Sequence, residues 1–273
     1  MTNRALQSGE AQLHRADRSQ LLDRGVQVGL FTYGVMHLVI ALIAFQLVIG
    51  EAGGQSASGT GAFSELARNP LGRVFLWVMV LGFFMLVVWQ GIEAAIGHRD
   101  EEGGKRSYKR VVNGARAVLY AVLGVSAATI AVNGAKSGGG SGTDGPTGRL
   151  MSAPGGQLLV VLVGLGIIAV GGALVYRGLS EKFTKHLDAE ASHGPIVLLG
   201  KVGYAAKGVA LAAVGVLFVI AGVRHNASKS GGLDAALREL LQEPFGGWLV
   251  GVIAVGIAAF GLYCFGWARH LKR

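Results

Sequence analysis

Six long apolar runs constrain the fold of this chain more than any other feature of its sequence. Each exceeds the ~18 residues that a membrane-spanning helix needs, and none alternates polar and apolar residues as a barrel strand does. A bilayer requires backbone polar groups to be satisfied within the spanning segment, so the runs predict six transmembrane helices, here called spans 1 to 6. The runs are Val26–Ile49, Val74–Ile96, Val111–Val132, Leu158–Tyr176, Ile196–Val223 and Phe245–Trp267.

The composition agrees with a membrane protein. Hydrophobic residues make up 51% of the chain and charged residues only 15%, against about 25% charged residues in soluble proteins. We therefore expect an all-α polytopic membrane protein. The single Cys264 excludes a disulfide framework and a cysteine-based metal site. The polar start of the chain lacks the compact basic region of a cleaved signal peptide, so span 1 is expected to stay in place.

The spans carry two independent repeating patterns. Even-numbered spans begin with Pro-x-Gly, nine intervening residues and a further Gly, and the copies are 84 and 90 residues apart. Odd-numbered spans carry a Tyr, Arg or Lys with a small residue eight positions on, and these copies are 83 and 91 residues apart. The agreement indicates three tandem two-helix units. The positions are Pro70, Gly72, Gly82, Pro154, Gly156, Gly166, Pro244, Gly246 and Gly256 in even spans, and Tyr33, Ala41, Arg116, Gly124, Lys207 and Gly215 in odd spans.

The repeat divides the chain into a cytoplasmic N-terminal segment, residues 1–25, and three units, 26–100, 101–190 and 191–273. A proline in the first turn of a helix gives up no hydrogen bond, so each proline is expected to mark the outer start of an even span. Before span 6, the segment Leu233–Leu241 places its leucines on one helical face. It is either an interfacial amphipathic helix or a short helix that caps the bundle.

Lys and Arg are distributed unevenly between the two sides of the bundle. With the N-terminus inside, the inner segments hold 16 of these residues and the outer segments hold 7. Both termini are therefore expected to face the cytoplasm of a bacterial cytoplasmic membrane. The three hairpins then share one orientation, which predicts a pseudo-threefold axis along the membrane normal. This topology and anionic inner-leaflet lipids account for the net charge of +9. The chain lacks the interleaved aromatic and basic residues that would favour nucleic-acid binding.

Glycine is abundant inside the spans, and the chain holds 45 glycines in 273 residues, against about 7% in ordinary proteins. Small residues let helices approach closely where lipid supplies no hydrophobic driving force. Span 6 carries a Gly-x-x-x-Gly motif at Gly247 and Gly251, and Gly256 and Gly261 continue along it. We expect these four glycines to pack helices within one chain rather than between two copies.

Few ionisable side chains lie at membrane depth, where each charge costs about 2.5–3.5 kcal/mol on insertion scales. Arg116 and Lys207 share one repeat position about a turn inside spans 3 and 5, and Tyr33 takes that position in span 1. His37 lies one turn deeper than Tyr33, and Glu93 lies near the inner end of span 2. Two interpretations stay open. The long cations extend to the inner headgroups, or these five residues form a polar cluster that binds an anionic group.

The sequence contains no catalytic constellation. There is no HExxH motif, P-loop, paired intramembrane aspartates or Ser/His/Asp set. His37 has no histidine or acidic partner at ligand spacing, so a metal or haem site is unsupported. We therefore expect a protein without enzyme activity, metal or cofactor.

The motifs Gly203–Gly208 (Gly-Tyr-Ala-Ala-Lys-Gly) and Pro244–Gly246 (Pro-Phe-Gly), set in three tandem units, resemble the bacterial domain-of-unknown-function family numbered 1206. The resemblance covers about residues 20–273, with departures at Tyr33 in unit 1 and Ala117 in unit 2. It implies an integral membrane protein and no particular reaction, substrate or cofactor.

Two functions are compatible with these residues. The first is a non-enzymatic scaffold or accessory protein that binds membrane lipids or other membrane proteins. The alternative is a carrier or channel for an anionic or lipid-like substrate along the pseudo-threefold axis. A closed, glycine-packed centre favours the first function, whereas a water-accessible central cavity favours the second.

Overall fold

The computed structural model describes residues 2–97, 103–134, 155–188, 194–224 and 232–271, with side chains described from Arg24 onward. This part of the chain is helical, without a β-strand beyond one isolated bridge between Leu187 and Leu271. The predicted all-α fold is confirmed. Its α-helices are α1 (Thr2–Val48), α2 (Gly59–Leu66), α3 (Pro70–Ile96), α4 (Gly103–Asn133), α5 (Gly156–Leu179), α6 (Pro195–Val223), α7 (Leu233–Leu241) and α8 (Gly246–Arg269).

Six of these helices are long and apolar enough to cross a membrane, as the sequence predicts. Span 1 is the Arg24–Val48 part of α1, and spans 2 to 6 are α3, α4, α5, α6 and α8. Their mean hydropathy runs from 1.8 to 2.8, with the lowest value in α4 and the highest in α5. The protein is a multi-pass α-helical membrane protein.

The proline pattern is confirmed at the start of span 2, and at span 6 the proline lies just before the helix. Pro70 opens α3, and the Asn69 side chain caps this helix by accepting a hydrogen bond from the Gly72 backbone N–H at 2.7 Å. Pro244 lies two residues before the start of α8, and Pro154 lies outside the described residues. Gly72 and Gly246 share one constraint, since a Cβ on either would clash with the backbone carbonyl six residues earlier. The two glycines therefore share one close backbone contact, although α3 begins after an extended Asn69 and α8 after Phe245 at a φ of 62°.

The spans pack in cyclic order. The last span of each unit packs on the first span of the next, which pairs α3 with α4, α5 with α6, and α8 with α1. Within units 1 and 3 the two spans also pack together, α1 on α3 and α6 on α8. In unit 2, by contrast, the described residues of α4 and α5 make no comparable contact. The pseudo-threefold order is present, with a gap between spans 3 and 4.

Glycines form the contacts between consecutive units. A Cβ on Gly171 would meet the Gly208 carbonyl oxygen at 2.7 Å, and a Cβ on Gly261 would meet the Gly34 carbonyl oxygen at 2.9 Å. These two crossings are equivalent in the repeat. Glycines recur every seven residues along the α5–α6 seam, which is the spacing expected of helices packed at a small angle. The seam residues are Gly164, Gly171 and Gly178 on α5, and Gly208, Gly215 and Gly222 on α6.

The four glycines predicted to pack span 6 divide into two groups. Gly256 packs against Ala206 and Gly261 against Gly34. The expectation for the Gly-x-x-x-Gly motif is wrong, because a Cβ on Gly251 would meet nothing within 4 Å and one on Gly247 only a Val48 methyl at 4.0 Å. The physical reason is the position of each glycine on α8. Gly247 lies in the first turn of α8, where Val48 is at the limit of contact, and Gly251 lies ten residues before Gly261, which turns it to a different face of the helix.

Two short helices, α2 and α7, cover one end of the bundle, here called the outer end. Leu237 of α7 and Phe63 of α2 are fully buried against the spans. A carboxylate oxygen of Asp234 accepts a hydrogen bond from the Ala57 backbone N–H at 2.8 Å, which ties unit 3 to unit 1. The apolar face of α7 therefore packs on protein, which favours the capping interpretation over an interfacial helix.

Candidate functional site

The centre of the bundle holds a cationic side chain of α6. The Lys207 ammonium donates hydrogen bonds to the Tyr33 hydroxyl at 2.6 Å and to Nε2 of His37 at 3.0 Å. It also lies 4.1 Å from the ring centroid of Phe260 and 4.7 Å from that of Tyr33. These contacts join spans 1, 5 and 6 through one side chain. We call Tyr33, His37, Lys207, Phe260 and Arg116 the central cluster.

The hydrogen bonds determine the tautomer of His37. Its Nδ1 lies 2.8 Å from the backbone carbonyl oxygen of Tyr33, which can only accept, so Nδ1 carries the proton and donates it. Nε2 is then free to accept from the ammonium of Lys207. A neutral imidazole in this orientation is a ligand for a cation, and the neighbouring turn of α1 holds it in place.

Aromatic rings enclose the cluster. The Tyr33 ring meets Tyr120 of α4 edge-on, with centroids 5.6 Å apart, and meets Phe260 of α8 at 6.1 Å. Tyr204 of α6 packs edge-on against Phe260 at 5.2 Å. Both geometries are favourable for aromatic pairs, and the ring faces add attraction for the ammonium. Sequence reasoning missed Tyr120, Tyr204 and Phe260, because an aromatic residue in an apolar run looks like ordinary core.

Arg116 of α4 is the second cation of the cluster. Its guanidinium donates to the side-chain oxygen of Asn113 at 3.5 Å, and it occupies the repeat position that Tyr33 and Lys207 occupy in units 1 and 3. Both cationic side chains are half-buried. Two neighbouring units therefore carry a positive charge at the same repeat position.

The position of Lys207 decides between the two interpretations of its role in the bundle. It is twelve residues from the start of α6, and six residues deeper than Lys201, which is exposed and forms an ion pair with Glu181 at 3.1 Å. Six residues of helix correspond to about 9 Å. Its ammonium points to Tyr33 and His37 rather than back along its helix to the headgroups, so the interfacial interpretation is wrong for Lys207.

Glu93 lies at the end of span 2, and its grouping with the central cluster stays a prediction. It lies three residues before the end of α3, where its backbone carbonyl accepts a hydrogen bond from the Gly97 N–H. The contacts that define the cluster are made by phenol, imidazole, amide and aromatic groups.

The two described surface cavities do not reach the cluster. One, of about 360 Å³, lies between the end of α1 and α7, and the other, of about 350 Å³, lies around Pro70. Between the cluster and the outer end, α1 contributes the buried side chains Met36, Ile40 and Ile43. In the described part of the chain, no three His, Cys, Asp or Glu side chains come together as a metal site.

This architecture defines a class: multi-pass membrane proteins built from three tandem two-helix units around a cationic centre. Within that class, the chain belongs to the family described as Domain of Unknown Function (DUF1206), whose profile matches three segments, 28–97, 112–181 and 202–270. The matches begin 84 and 90 residues apart, which equals the spacing of the proline patterns.

One curated relative is similar along most of its length. The chain is 24% identical over 245 residues to "Uncharacterized protein YxxB" of Bacillus subtilis (strain 168), and the alignment covers 87% of this chain and 86% of the relative. No solved structure matches this chain.

Proposed function

We propose that this protein is a non-enzymatic accessory protein of the bacterial cytoplasmic membrane that binds an anionic lipid through Arg116 and Lys207. The supporting observation is a pair of positive charges at membrane depth whose described contacts are to neutral groups. An anionic headgroup supplies the missing negative charge and offsets the cost of placing each cation there, which is about 2.5–3.5 kcal/mol on insertion scales.

The distribution of acidic residues supports this proposal. Glu93 is the single acidic residue within the six membrane spans of the sequence, and it lies three residues before the end of α3. The cluster cations lie about 9 Å deeper than Lys201 and Arg110, which mark the inner ends of their spans. A phosphate headgroup drawn inward by this distance meets both cations.

The closed packing around Lys207 favours lipid binding over transport along the axis. The rings of Phe260 and Tyr33 lie 4.1 Å and 4.7 Å from the ammonium, and the buried residues of α1 fill the bundle toward the outer end. A carrier needs a route past these side chains. The cyclic order of the spans keeps the carrier as the second candidate, since a ring of helices is an arrangement that can open along its axis.

The test measures lipid retained on the purified protein. In native mass spectrometry from detergent containing phosphatidylglycerol, Lys207→Gln should lower the retained lipid about tenfold, the effect of losing roughly one charge-assisted contact. Lys201→Gln is the matched control, because Lys201 lies on the same helix but is exposed. Equal retention in the two variants would overturn the proposal. Phosphatidylglycerol movement between leaflets of proteoliposomes that depends on Lys207 would replace it with the carrier.

The proposed orientation has its own test. The charge distribution places both termini in the cytoplasm, so a cysteine at Glu51 should react with a membrane-impermeant maleimide in intact cells. A cysteine at Lys185 should react after lysis. Both residues are exposed. The native Cys264 is buried, so we expect it not to react with the maleimide. The reverse labelling pattern would contradict the orientation.

A further inference from the structure

We infer that the lipid binds in a lateral groove between spans 3 and 4, with its headgroup on Arg116 and its acyl chains along α4 and α5. This inference rests on the proposed lipid-binding function. It specifies where the lipid binds and how it reaches the cations, neither of which follows from the central cluster alone.

The groove is defined by comparison with the other two units. In unit 1, a Cβ on Gly82 would meet the Thr32 hydroxyl at 2.7 Å, and in unit 3 Gly256 packs against Ala206. These are the same repeat positions, and each crossing closes the two spans of its unit.

The corresponding residues of unit 2 are Ala115 and Gly166, and they do not meet. A Cβ on Gly166 would find nothing within 4 Å, and Ala115 is exposed. The flanking side chains on both helices are apolar and exposed, including Val118 at 65% and Leu162 at 52%. Among the residues that the structure describes, the missing crossing leaves an apolar opening between α4 and α5.

The charge beside this opening identifies its occupant. Arg116 follows directly after Ala115 on α4, as Tyr33 follows Thr32 and Lys207 follows Ala206 in the closed units. A half-buried guanidinium therefore lies next to an apolar groove at membrane depth. An occupant that matches both features carries a negative head and hydrocarbon chains, which describes an anionic membrane lipid.

A second copy of the chain matches the groove less well. Its spans are apolar enough to pack there, but their single acidic residue, Glu93, lies at the inner end of α3 rather than at the depth of Arg116. The copy would bury the guanidinium against hydrocarbon without a partner, which is costly.

A substitution that fills the groove tests the inference and leaves both cationic residues unchanged. Gly166→Phe places a ring where the acyl chains lie and should lower retained phosphatidylglycerol at least fivefold. Gly172→Phe is the matched control on the same helix, because a Cβ there also meets nothing within 4 Å and six residues rotate it to a different face. Equal retention in the two variants would overturn the groove.

The two levels of the proposal fail in distinguishable ways. If Lys207→Gln loses lipid while Gly166→Phe retains it, the lipid-binding function stands and the lateral groove is wrong. If neither variant loses lipid, both are wrong.

A cysteine pair tests the other occupants. With Cys264→Ala as background, cysteines at Ala115 and Gly166 should form no disulfide within one chain or between chains, in nanodiscs with or without phosphatidylglycerol, because the groove holds the two positions apart. Cross-linking within one chain regardless of lipid would show that the spans close on each other. Cross-linking between chains would show that a second copy occupies the groove. Either result would overturn the inference.

Discussion

Units 1 and 3 close their two spans against each other, whereas unit 2 holds its spans apart and uses each of them to pack on a neighbouring unit. The same repeat therefore produces two kinds of environment. In the most apolar windows of spans 1 and 6, 61% and 56% of residues are buried, against 22% and 17% in spans 3 and 4. Spans 1 and 6 form the core, and spans 3 and 4 form its open edge.

A repeated motif therefore determines the register of the spans but not whether the two spans of a unit pack on each other. Gly82, Gly166 and Gly256 occupy one repeat position, yet two lie at crossings and one faces open space. Whether a crossing forms depends on where the neighbouring units hold each span. The strong α5–α6 seam draws span 4 toward unit 3, while span 3 packs on α3 of unit 1.

The largest expected effect separates two adjacent glycines of α5. Gly171→Leu should lower the free energy of unfolding by about 2–3 kcal/mol, because its side chain overpacks the seam at Gly208. Gly172→Leu should change it by less than about 0.5 kcal/mol, because a Cβ there meets nothing within 4 Å. Thermal unfolding in detergent measures both. Equal losses would mean that the seam does not hold spans 4 and 5 together.

A smaller effect is expected at the central cluster. Tyr33→Phe keeps the ring against Phe260 and Tyr120 but removes the acceptor of the 2.6 Å hydrogen bond from Lys207. The loss should be about 1.5–2 kcal/mol, typical of a hydrogen bond to a charged group. Tyr120→Phe is the matched control, since Tyr120 packs on the same ring. An unchanged unfolding temperature for Tyr33→Phe would show that the contact does not stabilise the core.

The smallest effect is expected at the hydrogen bond from the Ala57 N–H to Asp234, which joins units 1 and 3 at the outer end. Asp234→Ala removes the acceptor for the Ala57 N–H and the partner of Arg238, and should cost about 1 kcal/mol. Glu65→Ala removes an ion pair with Arg68 on the same end and should cost less than about 0.5 kcal/mol. Hydrogen exchange of the loop before α2 should rise in the first variant and stay unchanged in the second. A rise in both variants would show that the hydrogen bond between Asp234 and Ala57 does not specifically hold this loop.

The sequence predicted what depends on local pattern. Six spans, the three units and the shared register of Tyr33, Arg116 and Lys207 follow from hydropathy and spacing, and the structure brings Tyr33, His37 and Lys207 into contact. Their role in binding an anion stays a prediction.

What the sequence did not predict depends on tertiary packing. The grouping of Glu93 with the cluster stays a prediction, since its position three residues before the end of α3 is the one that the sequence indicates. Gly251 matches a familiar packing motif, yet a Cβ there meets nothing within 4 Å, because the neighbouring helices pack on other faces of α8. Phe260 and the gap in unit 2 carry no distinctive sequence signal, because an apolar residue on a span fits lipid and protein equally well.

The most direct test of the account is a double-mutant cycle on the two cations of the central cluster. Arg116→Gln, Lys207→Gln and the double variant are compared for stability and for retained phosphatidylglycerol. If one anionic headgroup bridges the two cations, the double variant should lose less than the sum of the single losses, by about 0.5–3 kcal/mol, and should retain little phosphatidylglycerol. Additive stability changes together with unchanged lipid retention would contradict a shared anionic ligand.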